Sequence, residues 1–350
     1  MQETCPTRSP SAPCIKSSVR QHGVALAVML VLSACGGGTP SDLQTAAITS
    51  GGTGSTGLGG GKPAALIGPL LKQGTQWSVN GVQVNTSSNT AVSDDEGQPL
   101  DTAVLAEGMT VAIDGDTVST QGDALSTQAL RVRLEPVLYG PVQAMDLARR
   151  ELTVMDHVVQ WSDSTVLSDA WPQGLGNVQV GDLVEVHGWQ DLAQTRYVAT
   201  RLAPRTVGMH LGEYTVQGVL ADLDLARGQC RVGTQRIAYA WPEASSDLRN
   251  GQWTRGSLYT TPPVSPGSTW SAVTMRVDAP WLTDKAQISV QGLVTAVQSG
   301  GQSFTVQSWP VNASAAACSV CPQLTPGQRV RVEGTLTQGV VSASLVKLQP

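Results

Sequence analysis

The sequence predicts an all-β protein built from repeated small closed barrels. Three observations point there. Glycines that open apolar strands recur at Gly68, Gly140, Gly218 and Gly292, spaced 72, 78 and 74 residues apart. Within each repeat, short stretches alternate apolar and polar residues, the period that buries one face of a pleated strand. No stretch of the repeats carries helical periodicity long enough to cover an open sheet. Gly (37) and Pro (20) are plentiful among the 350 residues, and only 14% are charged, which suits short strands joined by tight turns.

Residues 1–34 read as a lipoprotein signal peptide. Arg8, Lys16 and Arg20 form a basic start, and Val24 to Ala34 is an apolar run too short to span a bilayer as a mature helix. The run ends in Leu32-Ser33-Ala34-Cys35, which resembles the bacterial lipobox. Small residues there fit the peptidase, and the Cys35 thiol accepts a diacylglycerol, so Cys35 is the expected lipidation site. Acyl chains contribute about 0.8 kcal/mol per buried CH₂, enough in combination to hold a protein on a membrane without a transmembrane helix. Gly36 rather than Asp follows the cysteine; by the sorting rule of enterobacterial lipoproteins, that pattern resembles an outer-membrane address. The expected location is the cell envelope, lipid-anchored, at the outer membrane.

Residues 35–63 are the lipidated cysteine and a Gly/Ser/Thr-rich linker without apolar periodicity. At about 5 to 6 Å × √n for such chains, its typical reach is roughly 30 Å. Removing the leader, with three basic residues and the single acid Glu3, takes the net charge from −5 to −7. An acidic balance without a basic stripe disfavours a polyanion, and no nucleic-acid partner is expected.

The remainder divides into four modules, residues 64–136, 137–205, 206–280 and 281–350. After the Gly-led strand comes a second strand with apolar residues two apart: Trp77 and Val79, Leu152 and Val154, Cys230 and Val232, Phe304 and Val306. A third strand and a variable loop follow. The fourth strand is Gly-led and alternating, with Val111/Ile113, Val184/Val186 and Val330/Val332 inward. The third module departs, carrying Gly251-Gln252-Trp253-Thr254-Arg255-Gly256 there, so its register is open. Each unit closes with a last strand ending near Leu134, Leu202, Val277 or Leu348. Five short strands in about 70 residues favour a closed barrel, because closure removes exposed edges, and the OB-like barrel is the first choice. Units this small bury only around 60% of their unfolded surface, so neighbouring modules are expected to support one another.

The pattern resembles the family called domain of unknown function 5666. The resemblance rests on the Gly-x-Val openings, Ser78-Val79-Asn80-Gly81 in the second strand, Thr90 and Thr165 before the loop, and the Val180 to Gly188 strand. It runs from Leu66 to about Leu348, strongest in the second and fourth units and weakest in the third. It implies tandem β-barrel modules on exported proteins and supplies no catalytic residues.

Cys318-Ser319-Val320-Cys321 is the one clustered cysteine pair of the mature chain. In an exported protein it reads first as a local disulfide. A zinc site needs two more ligands, which no second pair or nearby His offers, and covalent haem needs His where Pro322 stands. No metal and no cofactor are expected. Cys230 fills a slot held by Trp77, Leu152 and Phe304 elsewhere, and reads as a buried structural thiol. His187 overlays Asp114 and Glu333 beside an inward valine, so it is expected on a solvated face. Trp171, Trp241 and Trp309 each precede a proline near a strand end, and Trp189 follows a strand-ending glycine; these four are the expected exposed indoles, available to stack on a ligand. No nucleophile, base and orienter stand at recognisable spacing. The expected function is therefore non-catalytic: a membrane-tethered set of OB-like barrels presenting a binding or scaffolding surface, with an envelope protein or polysaccharide as partner. The alternative is a thiol/disulfide redox role for Cys318 and Cys321.

Overall fold

The computed structural model describes residues 58–205, 212–240, 247–278, 281–298, 300–316 and 318–349, all within one compact unit. Cys35, Trp241 and the signal peptide lie outside the described residues. Within them the chain is all-β, with short 3-10 turns at Thr102–Val104, Gly174–Asn177 and Cys321–Gln323.

Each module closes into a barrel of five principal strands. In the second barrel they are Leu138–Asp146, Glu151–Val154, His157–Gln160, Leu183–Asp191 and Arg196–Ala203. Strand one pairs with strand two, two with three, three with five, five with four and four with one. Only the pairing of strands three and five is parallel. The order 1-2-3-5-4-1 is the OB-type barrel expected from the strand count. The other barrels repeat it, and the third does so despite its divergent sequence: Gly218 pairs with Thr254 as Gly140 pairs with Val184. That register places Gly256 at the inward position of Val186. A Cβ there would lie 2.6 Å from Met275 Sδ, so the methionine occupies the space a valine fills elsewhere.

The repeating glycines have a common cause. The hairpin between strands two and three folds over the opening glycine of its own barrel in all four units. A Cβ on Gly68 would come within 2.8 Å of Asn80 Oδ1, one on Gly140 within 2.4 Å of Met155 Sδ, one on Gly218 within 2.9 Å of Val232 Cγ1, and one on Gly292 within 2.9 Å of Val306 Cγ1. At Gly218 the Tyr197 hydroxyl of the second barrel adds a second close neighbour at 2.7 Å. Asn80-Gly81 has positive φ at both residues (53° and 84°), as a two-residue type I′ turn requires. Thr90 and Thr165 also do the same work. Each hydroxyl donates to the last strand of its barrel (Ala129 O and Ala199 O, both 2.8 Å) and accepts from the loop amide three residues earlier, tying the loop to the barrel wall.

The barrels are joined edge to edge rather than strung along the chain. Ala64–Ile67 of the first barrel runs parallel to Gln287–Val290 of the fourth. Leu138 and Tyr139 of the second pair with Val216 and Thr215 of the third. The result is one 14-stranded sheet from barrels one and four and one 11-stranded sheet from barrels two and three. The two sheets meet through Thr200 Oγ1, which donates to Gly108 O at 2.6 Å, and Arg201 Nη1, which donates to Glu107 O at 3.1 Å.

Val154 and Val306 are fully buried at matching positions. Val154→Asp and Val306→Asp are each expected to unfold their barrel, since a buried unpaired carboxylate costs several kcal/mol. Thermal melts should show the loss, whereas the same change at exposed Val264 should leave the melt in place.

Candidate functional site

The fourth strand of each barrel turns one face to its own core and the other to a neighbouring barrel. Residues two apart on that second face are Ala112 and Asp114, Glu185 and His187, Arg255 and Ser257, and Arg331 and Glu333. The alternation therefore puts His187 outward from its barrel, as read from the sequence, yet the expectation of a solvated histidine is overturned. His187 and Glu333 are 0% exposed and Asp114 is 5% exposed, because another barrel covers the face. His187 Nδ1 accepts the amide of Thr110 from the first barrel at 3.1 Å, so its other nitrogen carries the proton and donates to Glu185 Oε1 at 2.9 Å.

Arg255 is the most deeply engaged charge. Fully buried, its guanidinium touches Asp95, Glu135 (3.3 Å) and Asp278 (3.8 Å). Burial works against the charge, but Asp95, Asp278, Glu135 and Glu96 together outweigh it and hold the guanidinium ionised. Arg133 Nε reaches Glu135 at 2.6 Å and Arg276 reaches Glu96 at 2.9 Å. Asp114 is bracketed by Arg131 (2.6 Å) and Lys285. Burial alone would raise Asp114, but the hydrogen bonds from Lys285 and Arg131 more than offset it and hold its carboxyl below the usual range. Glu135 goes the other way. Burial dominates over Arg133 and pushes its pKa up to about 7, with Asp278 adding to the rise and Arg255 opposing it.

Where the barrels converge, this network borders a small recess with room for about one water molecule. Its walls include Glu135 from the first barrel, Gln217, Trp253 and Asp278 from the third, and Trp281 and Trp309 from the fourth. Trp253 Nε1 donates to Gln217 Oε1 at 3.3 Å, and the guanidinium groups of Arg131 and Arg133 stack on Trp281 at 5.0 and 5.2 Å from the ring centre.

The indoles chosen from the sequence are not gathered together. Trp309 was expected to be exposed; it is 5% exposed, packed in the core of the fourth barrel, and its edge lines the recess. The Trp-Pro pair that suggested a strand end is itself inside a strand, Trp309–Asn312. Trp171 is half-buried against the shared core of barrels two and three, and Trp189 is half-buried under Arg329, 3.5 Å from its ring centre. Cys318 and Cys321 are joined by a disulfide, with Cys321 buried and Cys318 half-buried on the core of the fourth barrel. Cys230 is a buried free thiol whose pKa burial pushes up to about 12. Among the described residues no group of His, Cys, Asp and Glu is placed to hold a metal ion, and no helix is long and apolar enough to cross a membrane.

Gln217, Trp253, Arg255 and Trp281 were not singled out by sequence reasoning. The signal that could have found Arg255 was its place in the repeat overlay, where it aligns with the charged Glu185 and Arg331 once Thr254 and Gly256 are set against the inward Val184/Val186 and Val330/Val332.

With the barrels and their shared junction in view, the comparison with known families is direct. Residues 71–131, 139–203 and 291–347 each match the model of the Domain of unknown function (DUF5666), together more than half of the chain. The chain belongs to the DUF5666 family. The three matches fall on the first, second and fourth barrels, so the third barrel keeps the DUF5666 topology without matching the family's sequence pattern. No curated protein matches the chain.

An ordinary Glu sits near 4.5 in the unfolded chain and Glu135 near 7 in the folded one, so the folded state binds more protons across that window. Its contribution to stability is complete below about pH 4.5 and lost as pH rises to about 7, on the order of 3 kcal/mol. Glu135→Gln should remove this slope, so that the variant gains on the parent as pH rises from about 4.5 to about 7 in denaturant titrations. Parallel pH profiles for the two proteins would contradict the assignment.

Proposed function

We propose that this DUF5666 protein is a non-catalytic cell-envelope lipoprotein, anchored through lipid on Cys35, whose four barrels act as one binding or scaffolding body. The observation that carries the reading is the junction itself. Arg255 of the third barrel is held by Asp95 and Glu135 of the first, and His187 of the second accepts the Thr110 amide of the first, so buried polar groups fix the barrels against one another. A body locked in this way presents its outer surfaces at fixed spacing, which suits simultaneous contact with an extended partner. The lipobox and the Gly/Ser/Thr-rich linker supply the address and the reach, and the outer membrane is the membrane that Gly36 after Cys35 favours. An envelope protein or polysaccharide is the proposed partner.

The disulfide between Cys318 and Cys321 is read as a staple on the fourth barrel. Cys321 is buried against the core with Leu324, which leaves Cys318 as the more accessible sulfur for an attacking thiolate.

Metabolic labelling with a fatty acid tests the anchor. The parent should incorporate label and sediment with membranes, whereas Cys35→Ser should remain an unlabelled precursor. Label on the variant at the parent level would overturn the anchor. Cross-linking of the anchored protein in intact cells should yield a discrete adduct with an envelope component, and its absence would overturn the binding role.

A further inference from the structure

The third barrel departs from the others once more, in the connection between its fourth and fifth strands. That connection is residues 192–195 in the second barrel and 338–339 in the fourth, but residues 260–269 in the third. The longer segment reads Thr260-Thr261-Pro262-Pro263-Val264-Ser265-Pro266-Gly267-Ser268-Thr269, with hydroxyls and prolines interleaved and no charge. Apart from half-buried Pro263 and Ser268 every residue of it is exposed, Val264 completely, and none belongs to a barrel core. The segment is nevertheless held in place. The Ser268 amide donates to Ser265 O at 3.1 Å, Pro266 and Gly267 take the two central positions, and Gly267 has a φ of 75°, the pattern of a type II turn. The Gly267 amide donates to Asp156 Oδ1 at 3.0 Å and Trp270 Nε1 to Asp156 Oδ2 at 2.7 Å, so one carboxylate of the second barrel fixes the foot of the loop. Proline pushes the residue before it toward extended backbone, which sets Thr261 and Ser265 apart as exposed hydroxyls on extended positions.

A lone valine buries too little apolar surface to repay the cost of association, and no charge is present to steer a partner, which argues against a protein-docking loop. Exposed Ser and Thr among prolines are instead the composition of O-glycosylated segments. We propose that this loop is an O-glycosylation site with Ser265 as the acceptor. Ser265 has a primary hydroxyl without the β-methyl that crowds Thr261, and it heads the fixed turn beside fully exposed Val264. Its oxygen forms the bond to the anomeric carbon of a sugar carried on a lipid diphosphate. The bond from that carbon to the diphosphate breaks, the electron pair leaves with the diphosphate, and the hydroxyl proton passes to a base of the transferase. The attached sugar then shields Val264 from water. This modification rests on the export reading above, since a lipid-linked donor and its transferase serve proteins that have reached the envelope.

The test uses the full chain purified from membranes of the host that makes it. No Lys or Arg lies between Arg255 and Arg276, so trypsin releases the loop as one peptide, Gly256–Arg276. That peptide should carry added mass in increments of sugar residues, and electron-transfer fragmentation, which spares the glycosidic bond, should place it on Ser265. Ser265→Ala should lose the added mass at an unchanged melting temperature. The proposal is overturned by a Gly256–Arg276 peptide found only at its unmodified mass, by added mass that is phosphate rather than sugar, or by sugar that persists at the parent level in Ser265→Ala. Acylation at Cys35, read from the N-terminal peptide of the same digest, separates the two failures. An acylated Cys35 with a bare loop overturns glycosylation alone, whereas an unacylated chain with a bare loop removes the export on which it rests.

Discussion

A guanidinium with no contact with water must be answered by carboxylates held close to it, and in this chain the answer comes from across barrel boundaries. Arg255 sits on the third barrel, Asp95 and Glu135 belong to the first, and Asp278 follows the last strand of the third. Removing two charges from water is expensive, and their attraction repays it only with good geometry and further hydrogen bonds. The further bonds are present: Arg133 also holds Glu135, and Arg276 holds Glu96. Such an arrangement adds little net stability compared with a well-packed apolar contact, but it admits one docking geometry. Sliding the barrels apart strands buried charge on both sides.

The need for docking follows from size. A barrel of about 70 residues buries too little apolar surface to be secure alone. Here the deficit is met twice. Strand edges are shared, with Ala64–Ile67 against Gln287–Val290 and Leu138 and Tyr139 against Val216 and Thr215, and the outer faces of the fourth strands are covered. The apolar cores follow the same plan. One cluster spans barrels two and three, while Ala65, Ile67 and Ala112 of the first barrel pack into the core of the fourth.

Much of the barrel was legible in the sequence because its causes are local. Period-two alternation marks which side chains enter the barrel, and Val154, Val184, Val306 and Val330 are all fully buried. The opening glycines recur because the same hairpin crosses the same strand each time, and Thr90 and Thr165 because each ties its loop to the last strand of its barrel. The junction was not legible, because alternation reports only which side faces a strand's own barrel. Whether the other side meets water or another barrel depends on packing between residues far apart in sequence, such as Thr110 and His187. Alternation therefore assigns His187 to solvent, and it leaves the register of Gly251–Gly256 open because Thr254 and Gly256 take the inward places of the valines. The tryptophans failed for a related reason: Trp309 precedes a proline but lies within a paired strand, and its neighbours across the junction come from other barrels.

A DUF5666 chain built this way is a single mechanical object whose outer surfaces keep their relative positions. Calorimetric unfolding of the parent and of Arg255→Met tests it directly. The parent is expected to melt in one cooperative transition, with calorimetric and van't Hoff enthalpies in agreement. Arg255→Met, which leaves Asp95 and Glu135 buried without their partner, should lose about 3–5 kcal/mol and resolve into separate transitions. A parent that already melts in several independent steps, left unmoved by Arg255→Met, would show that the barrels are neighbours and nothing more.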